Sequence, residues 1–499
     1  MTGGRLRQMY AAGTVAALAS SGGACRDRVA APGDGSSPVV LRMGVAQLSP
    51  TSPIIGLRQV SQILTSENLA RPGEDGRMQP SLAESWTIGA DGRTLQVNLR
   101  PHVKFQDGSR LDAKETAAIL PNVMRAFMGP VFSDVQSIRA AGETAIDIVF
   151  GGASPFLIEA LDVQIQKPGK AATGTGPYMV APGAPNELQA NKAYYLGRPH
   201  IDTVRVETYP SVRAAWAEML RGRLDMLWEV GADALASMQN SSTVSVFTFT
   251  RHYQHVIVFN TQAATLRAPK IRRALSMALN RAGVVQEALN GRGVASSGPI
   301  WPRYWALPRD LTKFEYDPTR AAALLGELPG GGTRFHFTCL VSPDSVDERI
   351  ALEVKRQFAS IGVDMAVEEA SRDEIVRRAD NQQYEAVITE VVSGPTLFRP
   401  YLIWHSKGSF NWGHFGTPSA DVALDRVRHA PSESAYREAV AGLQQSFMDD
   451  PPAIFLAWSQ QSRAVSTRFV VPTPEPGREI LSNLRLWTPA ADSQAANRH

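Results

Sequence analysis

The chain contains few cysteines and no long run of residues of one charge. Its 499 residues include only 2 cysteines, Cys25 and Cys339, which excludes a disulfide framework and a cysteine-based metal cluster. Lys and Arg number 51 against 48 Asp and Glu, without a basic stripe, so nucleic acid is not an expected partner. Hydrophobic residues make up 43%, an ordinary share for a soluble protein, and the length predicts more than one packed unit.

Sequence patterns of common enzyme classes are also missing. We find no Gly-x-Ser-x-Gly elbow, no His-Glu-x-x-His pair and no phosphate-binding loop, so no activated nucleophile or metal-bound water is indicated. The chain carries no tandem repeat either. The sequence therefore predicts a protein that is not an enzyme and that needs no cofactor.

The first residues resemble a secretion signal. Arg5 and Arg7 precede the apolar stretch 9–18, and small residues follow up to Cys25. This stretch is shorter than the roughly 20 residues of a membrane-spanning helix, which favours a signal peptide over residues 1–24. The expected location is the periplasm or the outer face of the cytoplasmic membrane.

Cys25 resembles the lipidated cysteine of bacterial lipoproteins, although Gly22 stands where that pattern usually has Leu. The alternative is plain signal cleavage nearby, with no lipid. Residues 25–38 are rich in Gly, Pro and Ser without periodicity, as expected for a tether. Cys339 lies within an apolar-rich run and is predicted to be a small buried side chain.

Strands and helices alternate regularly in the second half of the chain. The pattern predicts a strand at 334–341, a helix at 346–361, a strand at 364–367, a helix at 373–379 and a strand at 384–389. Such β-α-β units indicate a layered α/β sheet whose binding crevice lies at the carboxyl ends of the strands.

Several short blocks, taken in order, resemble the family-five extracellular solute-binding proteins of bacterial ABC importers, which include dipeptide, oligopeptide and nickel binders. Each block alone is weak, but their order and spacing carry the resemblance over nearly the whole mature chain. The blocks are 80–86 (PSLAESW), 91–92 (DG), 103–108 (VKFQDG), 174–178 (GTGPY), 259–261 (FNT), 271–275 (IRRAL), 280–281 (NR), 298–300 (GPI) and 316–318 (YDP).

The resemblance implies a type II periplasmic-binding fold, with two lobes, a cleft between them and an extra domain inserted in the first lobe. The implied boundaries are 39–57, 173–263 and 464–490 for lobe I, 58–172 for the inserted domain and 264–463 for lobe II. It also implies a monomer that closes over a small solute and delivers it to an ABC permease. The alternatives are a solute sensor, a chaperone-like relative, or a metal, haem or sugar binder of the same fold.

Candidate ligand-binding residues lie at strand ends or in Gly- and Pro-rich connections, where rigid scaffolds present binding groups. For the aromatic members the alternative is ordinary core packing. The candidates are Tyr253, Gln254, Asn260, Trp301, Trp404, Phe410, Asn411 and Trp412.

The class of solute is harder to predict. Peptide binders of the family hold the ligand's amino terminus with an Asp near a Trp, and the matching region 389–399 contains neither. Glu390 is its only carboxylate and is the candidate for neutralising an amine on the ligand, with Glu229 as the second possibility. Four histidines leave nickel or haem open, although their spacing matches no metal motif. These are His252, His255, His405 and His414.

Overall fold

A computed structural model of the protein describes residues 38–46, 55–169, 173–296, 298–309, 315–326, 335–411, 416–473 and 478–491. The predicted signal peptide, Cys25, nearly all of the predicted tether, Trp412 and His414 lie outside the described residues. Among the helices that are described, none is long and apolar enough to cross a membrane.

Strands and helices alternate between residues 335 and 392, as the sequence pattern predicts for the second half of the chain, whereas several strands follow one another in the first half. The strands are β1 (Val40–Ala46), β2 (Glu67–Asn68), β3 (Ala70–Pro72), β4 (Met78–Pro80), β5 (Ala83–Ile88), β6 (Thr94–Leu99), β7 (Val135–Ala140), β8 (Ala145–Phe150), β9 (Gln164–Ile165), β10 (Tyr178–Ala181), β11 (Ala184–Ala190), β12 (Thr203–Tyr209), β13 (Met226–Leu227), β14 (Val244–Phe259), β15 (Gly293–Ala295), β16 (Phe335–Val341), β17 (Val363–Glu369), β18 (Ala386–Val392), β19 (Ala453–Ser466), β20 (Phe469–Val470) and β21 (Thr488–Pro489). The helices are α1 (Ile55–Thr65), α2 (Ala113–Met128), α3 (Val212–Leu220), α4 (Ala232–Gln239), α5 (Pro269–Met277), α6 (Arg281–Glu287), α7 (Pro318–Gly326), α8 (Ser345–Ala359), α9 (Arg372–Asp380), α10 (Phe398–Trp404), α11 (Pro418–Arg428) and α12 (Glu433–Asp449), with 3-10 helices at Gly129–Asp134, Pro155–Leu161 and Ile480–Leu486.

One large sheet organises the fold, with strand order β10-β11-β12-β1-β13-β19-β14-β18-β16-β17 and β15 paired to β19. On one side β1 runs parallel to β12 and β13, and on the other side β16 runs parallel to β17 and β18. The long antiparallel pair β14 and β19 joins these two parallel halves. Its register shifts between Thr250 and Gln254, so the ladder is irregular where the two halves meet.

The connector 174–178 shows why its Gly-rich block is needed. A Cβ atom on Gly174 or Gly176 would overlap the backbone of Thr65, at the end of α1. Between the two glycines, the Thr175 hydroxyl donates to Glu67 over 2.8 Å, and Glu67 also accepts from the hydroxyls of Tyr194 and Tyr195. The block therefore ties the segment that starts at β2 to the first half of the sheet.

The segment 67–165 also packs on the second half of the chain, and we call this contact the seam. Phe398 at the start of α10 stacks on Phe127 and on Phe156, with ring centroids 5.1 and 4.9 Å apart. Glu159 accepts hydrogen bonds from the backbone N–H groups of Leu397 and Phe398 and from the Tyr304 hydroxyl. The hydrophobic core of this segment is thus continuous with that of α10, α11 and α12.

We expect the Phe398→Ala variant to be strongly destabilised, because it removes a fully buried ring with two stacked partners. Truncating a buried Phe typically costs about 3–5 kcal/mol. A chemical-denaturation series measures the loss, and Leu352→Ala, at a side chain that is 63% exposed, is the control expected to change little. Equal midpoints for the two variants would show that the seam does not contribute to stability.

Glu159 makes the seam sensitive to pH. Burial raises the pKa of its carboxyl to about 8, although three donors point at it. The hydroxyls of Tyr304 and Tyr436 and the carboxyl of Asp162 lie around it. Burial raises the pKa of the Asp162 carboxyl to about 6, even though the charge of Arg399 acts to lower it. A raised pKa means that the folded protein holds its proton more tightly than the unfolded chain.

We therefore expect the stabilising contribution of Glu159 to be largest below the ordinary glutamate pKa and to be lost as the pH rises through about 8. Glu159→Gln keeps the shape and stays neutral, so its melting temperature should fall less between about pH 5, just above the ordinary glutamate pKa of about 4.3, and about pH 9, above the folded-state pKa of about 8. Asp162→Asn separates the smaller contribution of its neighbour, which has the same sign. Parallel pH profiles for wild type and Glu159→Gln would contradict this role of Glu159.

Candidate ligand-binding cleft

Polar and charged side chains converge where the two halves of the sheet meet. The carboxyl ends of β13 in the first half and of β16 and β18 in the second lie on either side of the middle of β14. In open α/β sheets, ligands bind in the crevice outside such strand ends. We call this region the cleft.

Glu390 on β18 is the most densely contacted carboxylate of the cleft. Nη1 of Arg251 lies 3.0 Å from its Oε1 and 3.1 Å from its Oε2, and the Arg251 guanidinium carbon lies 3.9 Å from the centre of the Tyr253 ring. On the other side, Nε2 of His255 lies 3.8 Å from Glu390 Oε1. The carboxylate is therefore held between a guanidinium and an imidazole.

Strand register explains this grouping. Arg251, Tyr253 and His255 alternate along β14 and so share one face of the sheet. Tyr253 and His255 stand opposite Val392 and Glu390 of β18. The group is thus positioned by paired strands.

A second carboxyl, that of Asp347, interacts with His255 through its charge. Asp347, in the first turn of α8, accepts a 2.6 Å hydrogen bond from the buried Ser342 hydroxyl. Burial raises the pKa of Asp347, while the Ser342 hydrogen bond and the charge of His255 act in the opposite direction. Nδ1 of His255 is buried and has no hydrogen-bond partner in the described part of the chain.

Glu229 faces this group from the first half of the sheet, two residues after β13. It is half-buried, and burial raises the pKa of its carboxyl against the opposing charges of Arg463, Arg251 and Arg292. No hydrogen bond or ion pair joins its carboxylate to any residue that the structure describes. Glu229 is therefore a partly desolvated acceptor that lacks a direct partner among these residues.

Two arginines position the backbone around Glu229. Arg463 on β19 stacks on the Trp228 ring at 3.8 Å, donates to the Trp228 carbonyl and is anchored by Glu479 at 3.0 Å. Arg292 donates to the Val230 carbonyl over 3.0 Å. The residues on either side of Glu229 are thus tied to β19 and to the start of β15.

Aromatic side chains line the opposite face of β14. Trp301 packs edge-on against Trp458 at 4.9 Å and against His252 at 5.5 Å, and its indole N–H donates to the Glu74 carbonyl. Gln254 donates to Ser296 and to the Gly298 carbonyl. Its Oε1 is buried and has no hydrogen-bond partner within the described ranges, and the same holds for the indole nitrogen of Trp458.

Four of the candidate residues from the sequence lie in the cleft or next to it. Tyr253 and Glu390 lie in the cleft, and Gln254 and Trp301 lie directly behind it, on the opposite face of β14. The others lie elsewhere in the fold, apart from Trp412, which is not described. Asn260 caps the far end of β14 by bonding the Gln382 and Tyr384 carbonyls, Trp404 packs in the core, Asn411 bonds the His405 carbonyl, and Phe410 lies 5.2 Å from the Arg399 guanidinium.

Arg251, Arg292, Arg463 and Asp347 are cleft residues that the sequence analysis did not name. The only sequence signal for Arg251 is its alternation with Tyr253 and His255. His405 lies beside Asp421 and Asp425. Within the described residues no group of three or more His, Cys, Asp or Glu side chains is placed to hold a metal ion.

Comparison with known proteins supports the resemblance seen in the sequence blocks. The family described as bacterial extracellular solute-binding proteins, family 5 Middle, matches residues 77–413. The oligopeptide-binding protein AppA of Bacillus subtilis is 24% identical over 468 residues, which cover 84% of this chain and 85% of that protein.

Solved structures show the same fold. NikZ from Campylobacter jejuni, in complex with Ni(L-His), superposes with a TM-score of 0.74 at 20% identity, over 90% of this chain and 99% of that chain. AgaA from A. tumefacien R10, in complex with agropinic acid, gives 0.71 at 19% identity, over 90% and 99%. The predicted type II periplasmic-binding fold is confirmed. Since the family match spans well over half of the 499 residues, the chain belongs to the family 5 bacterial extracellular solute-binding proteins.

Proposed function

We propose that the protein binds a small zwitterionic solute in the cleft, outside the cytoplasm, and presents it to the permease of an ABC importer. The observation that carries this proposal is the Glu229 carboxylate, which is desolvated and has no direct partner among the described residues. A buried carboxylate of this kind is stabilised when a ligand supplies a charge-assisted donor. An ammonium group of the solute meets that requirement.

The same cleft offers donors for an anionic group. Arg251 and Arg292 both act on Glu229 through their charges, and guanidinium groups match the planar geometry of a carboxylate. A solute that carries both an ammonium and a carboxylate leaves the charge balance of the cleft unchanged. Similar proteins have been solved with Ni(L-His) and with agropinic acid, which agrees with small polar ligands.

Closure follows from the connection between the halves. We place the hinge at the irregular part of β14 and β19, near Thr250 to Gln254, between a first lobe built on β1, β12 and β13 and a second built on β16, β17 and β18. We retain the boundaries predicted from the sequence, 39–57 with 173–263 and 464–490 for lobe I, 58–172 for the inserted domain and 264–463 for lobe II, as part of this proposal. A solute drives closure only if it contacts both lobes more in the closed state than in the open state. Glu229 lies in the first lobe and the Arg251–Glu390 pair reaches into the second, so a solute bound between them would contact both lobes.

We assign the cleft a binding role. The carboxylates and guanidiniums neutralise one another and position a ligand. Residues 1–24 as a secretion signal and Cys25 as a lipid anchor would place the cleft outside the membrane, beside a permease. We propose a monomer as the working form.

A thermal-shift panel tests the ligand class. Dipeptides and amino acids with free termini should raise the melting temperature, because bound ligand stabilises the folded state by mass action. The same compounds with an acetylated amine or an amidated carboxylate should lose the effect, since each lacks one of the two charges. Stabilisation by neutral sugars alone would contradict a zwitterionic solute.

Glu229→Gln should weaken binding of any stabilising compound from that panel by about tenfold or more. The reason is that a hydrogen bond to a charged group typically contributes about 1.5–3 kcal/mol. Isothermal titration calorimetry measures the change. Glu143→Gln, at a side chain that is 81% exposed and remote from β13 in the sequence, is the matched control and should leave the affinity unchanged. Unchanged affinity in Glu229→Gln would remove Glu229 from the binding site.

A further inference from the structure

Glu390 is a second carboxylate of the cleft, but the Arg251 guanidinium already pairs with it. Nη1 of Arg251 contacts both carboxylate oxygens, and the Arg251 guanidinium stacks 3.9 Å from the centre of the Tyr253 ring. We propose that Arg251 is a specificity-determining residue, a built-in cation that closes the Glu390 position to cationic groups of the solute. The inference rests on the proposed function, because it assumes that the cleft binds the solute.

The surroundings of Arg251 are those of a cation-binding site. A carboxylate together with an aromatic face is a combination that attracts ammonium and guanidinium ligands. Both members of the Arg251–Glu390 pair are 26% exposed, so the site is open to the cleft. Without the Arg251 side chain, the same carboxylate and the same ring would face a cationic ligand directly.

The position of Arg251 is fixed by the sheet. Arg251, Tyr253 and His255 stand on one face of β14, and Glu390 lies opposite His255 on β18. Both strands belong to the large sheet, so neither partner depends on a surface loop for its position. Because the guanidinium is tethered, it does not lose translational freedom on pairing, and it competes well against a free cation.

The consequence for recognition is a division of roles between two carboxylates. Glu390 is neutralised internally, whereas Glu229 has no direct partner among the described residues and remains for the solute's cation. Arg251 uses only Nη1 in its hydrogen bonds to described residues, so Nε and Nη2 remain as donors for an anionic group of the solute. Arg251 therefore converts a cation-binding position into one that prefers an anion.

The test uses methylguanidinium, which reproduces the end of the missing side chain. In Arg251→Ala the vacated space between Glu390 and Tyr253 should bind methylguanidinium about tenfold or more tightly than wild type does, as measured by ligand-observed saturation-transfer NMR titration. Arg251→Lys retains a tethered cation beside Glu390, so it should bind methylguanidinium as weakly as wild type does. The double variant Arg251→Ala/Glu390→Gln should lose the gain.

Equal binding of methylguanidinium to wild type and to a folded Arg251→Ala variant would overturn the inference. Retention of the gain in the double variant would do the same, because the ion would then bind elsewhere. If Arg251→Ala does not fold, wild type and Glu390→Gln are compared instead. Arg251 covers Glu390 in the wild type, so wild type and Glu390→Gln should bind methylguanidinium equally. Weaker binding by Glu390→Gln would contradict the inference. The dipeptide panel is scored separately, so a failure of the zwitterion proposal is distinguishable from a failure of the Arg251 inference.

Discussion

The antiparallel ladder between β14 and β19 is the constraint on which the rest of the molecule depends. These two strands connect the parallel halves of the sheet, and their pairing is irregular only near the point where the halves meet and one residue further on. Arg251, Tyr253 and His255 project from β14, and Arg463 projects from β19. Relative movement of the halves would therefore bend the same strands that carry these side chains, which under the proposed function couples binding to closure.

Charge compensation is the second theme of the structure. Glu67 accepts hydrogen bonds from the hydroxyls of Tyr194 and Tyr195 at the contact with the first half of the sheet. Glu159 accepts one from the Tyr304 hydroxyl at the seam. Glu390 is satisfied by Arg251, and Asp347 by Ser342. Glu229 departs from this pattern, because it is desolvated and has no direct partner in the described part of the chain. A desolvated acceptor without a partner is costly, and under the proposed function the solute's ammonium group offsets that cost.

The sequence allowed the family, the fold class and the helix at 346–361 to be predicted, since these depend on local blocks and periodicity. The helix is observed at Ser345–Ala359. The site was harder, because Arg251 and Glu390 are 139 residues apart and meet only through the register of β14 with β18. Asn260 and Trp404 have the residue types of binding groups, yet the structure uses Asn260 to cap a strand end and Trp404 to fill a core. Which of these uses applies depends on tertiary packing, which composition and spacing do not encode.

Movement of the two halves in response to solute is the central claim, and small-angle X-ray scattering measures it most directly. Protein freed of ligand by partial unfolding and refolding is compared with the same protein after addition of a stabilising dipeptide. The account predicts a smaller radius of gyration and a changed profile on addition, because the solute draws the lobes together. Superimposable profiles at saturating dipeptide would contradict it.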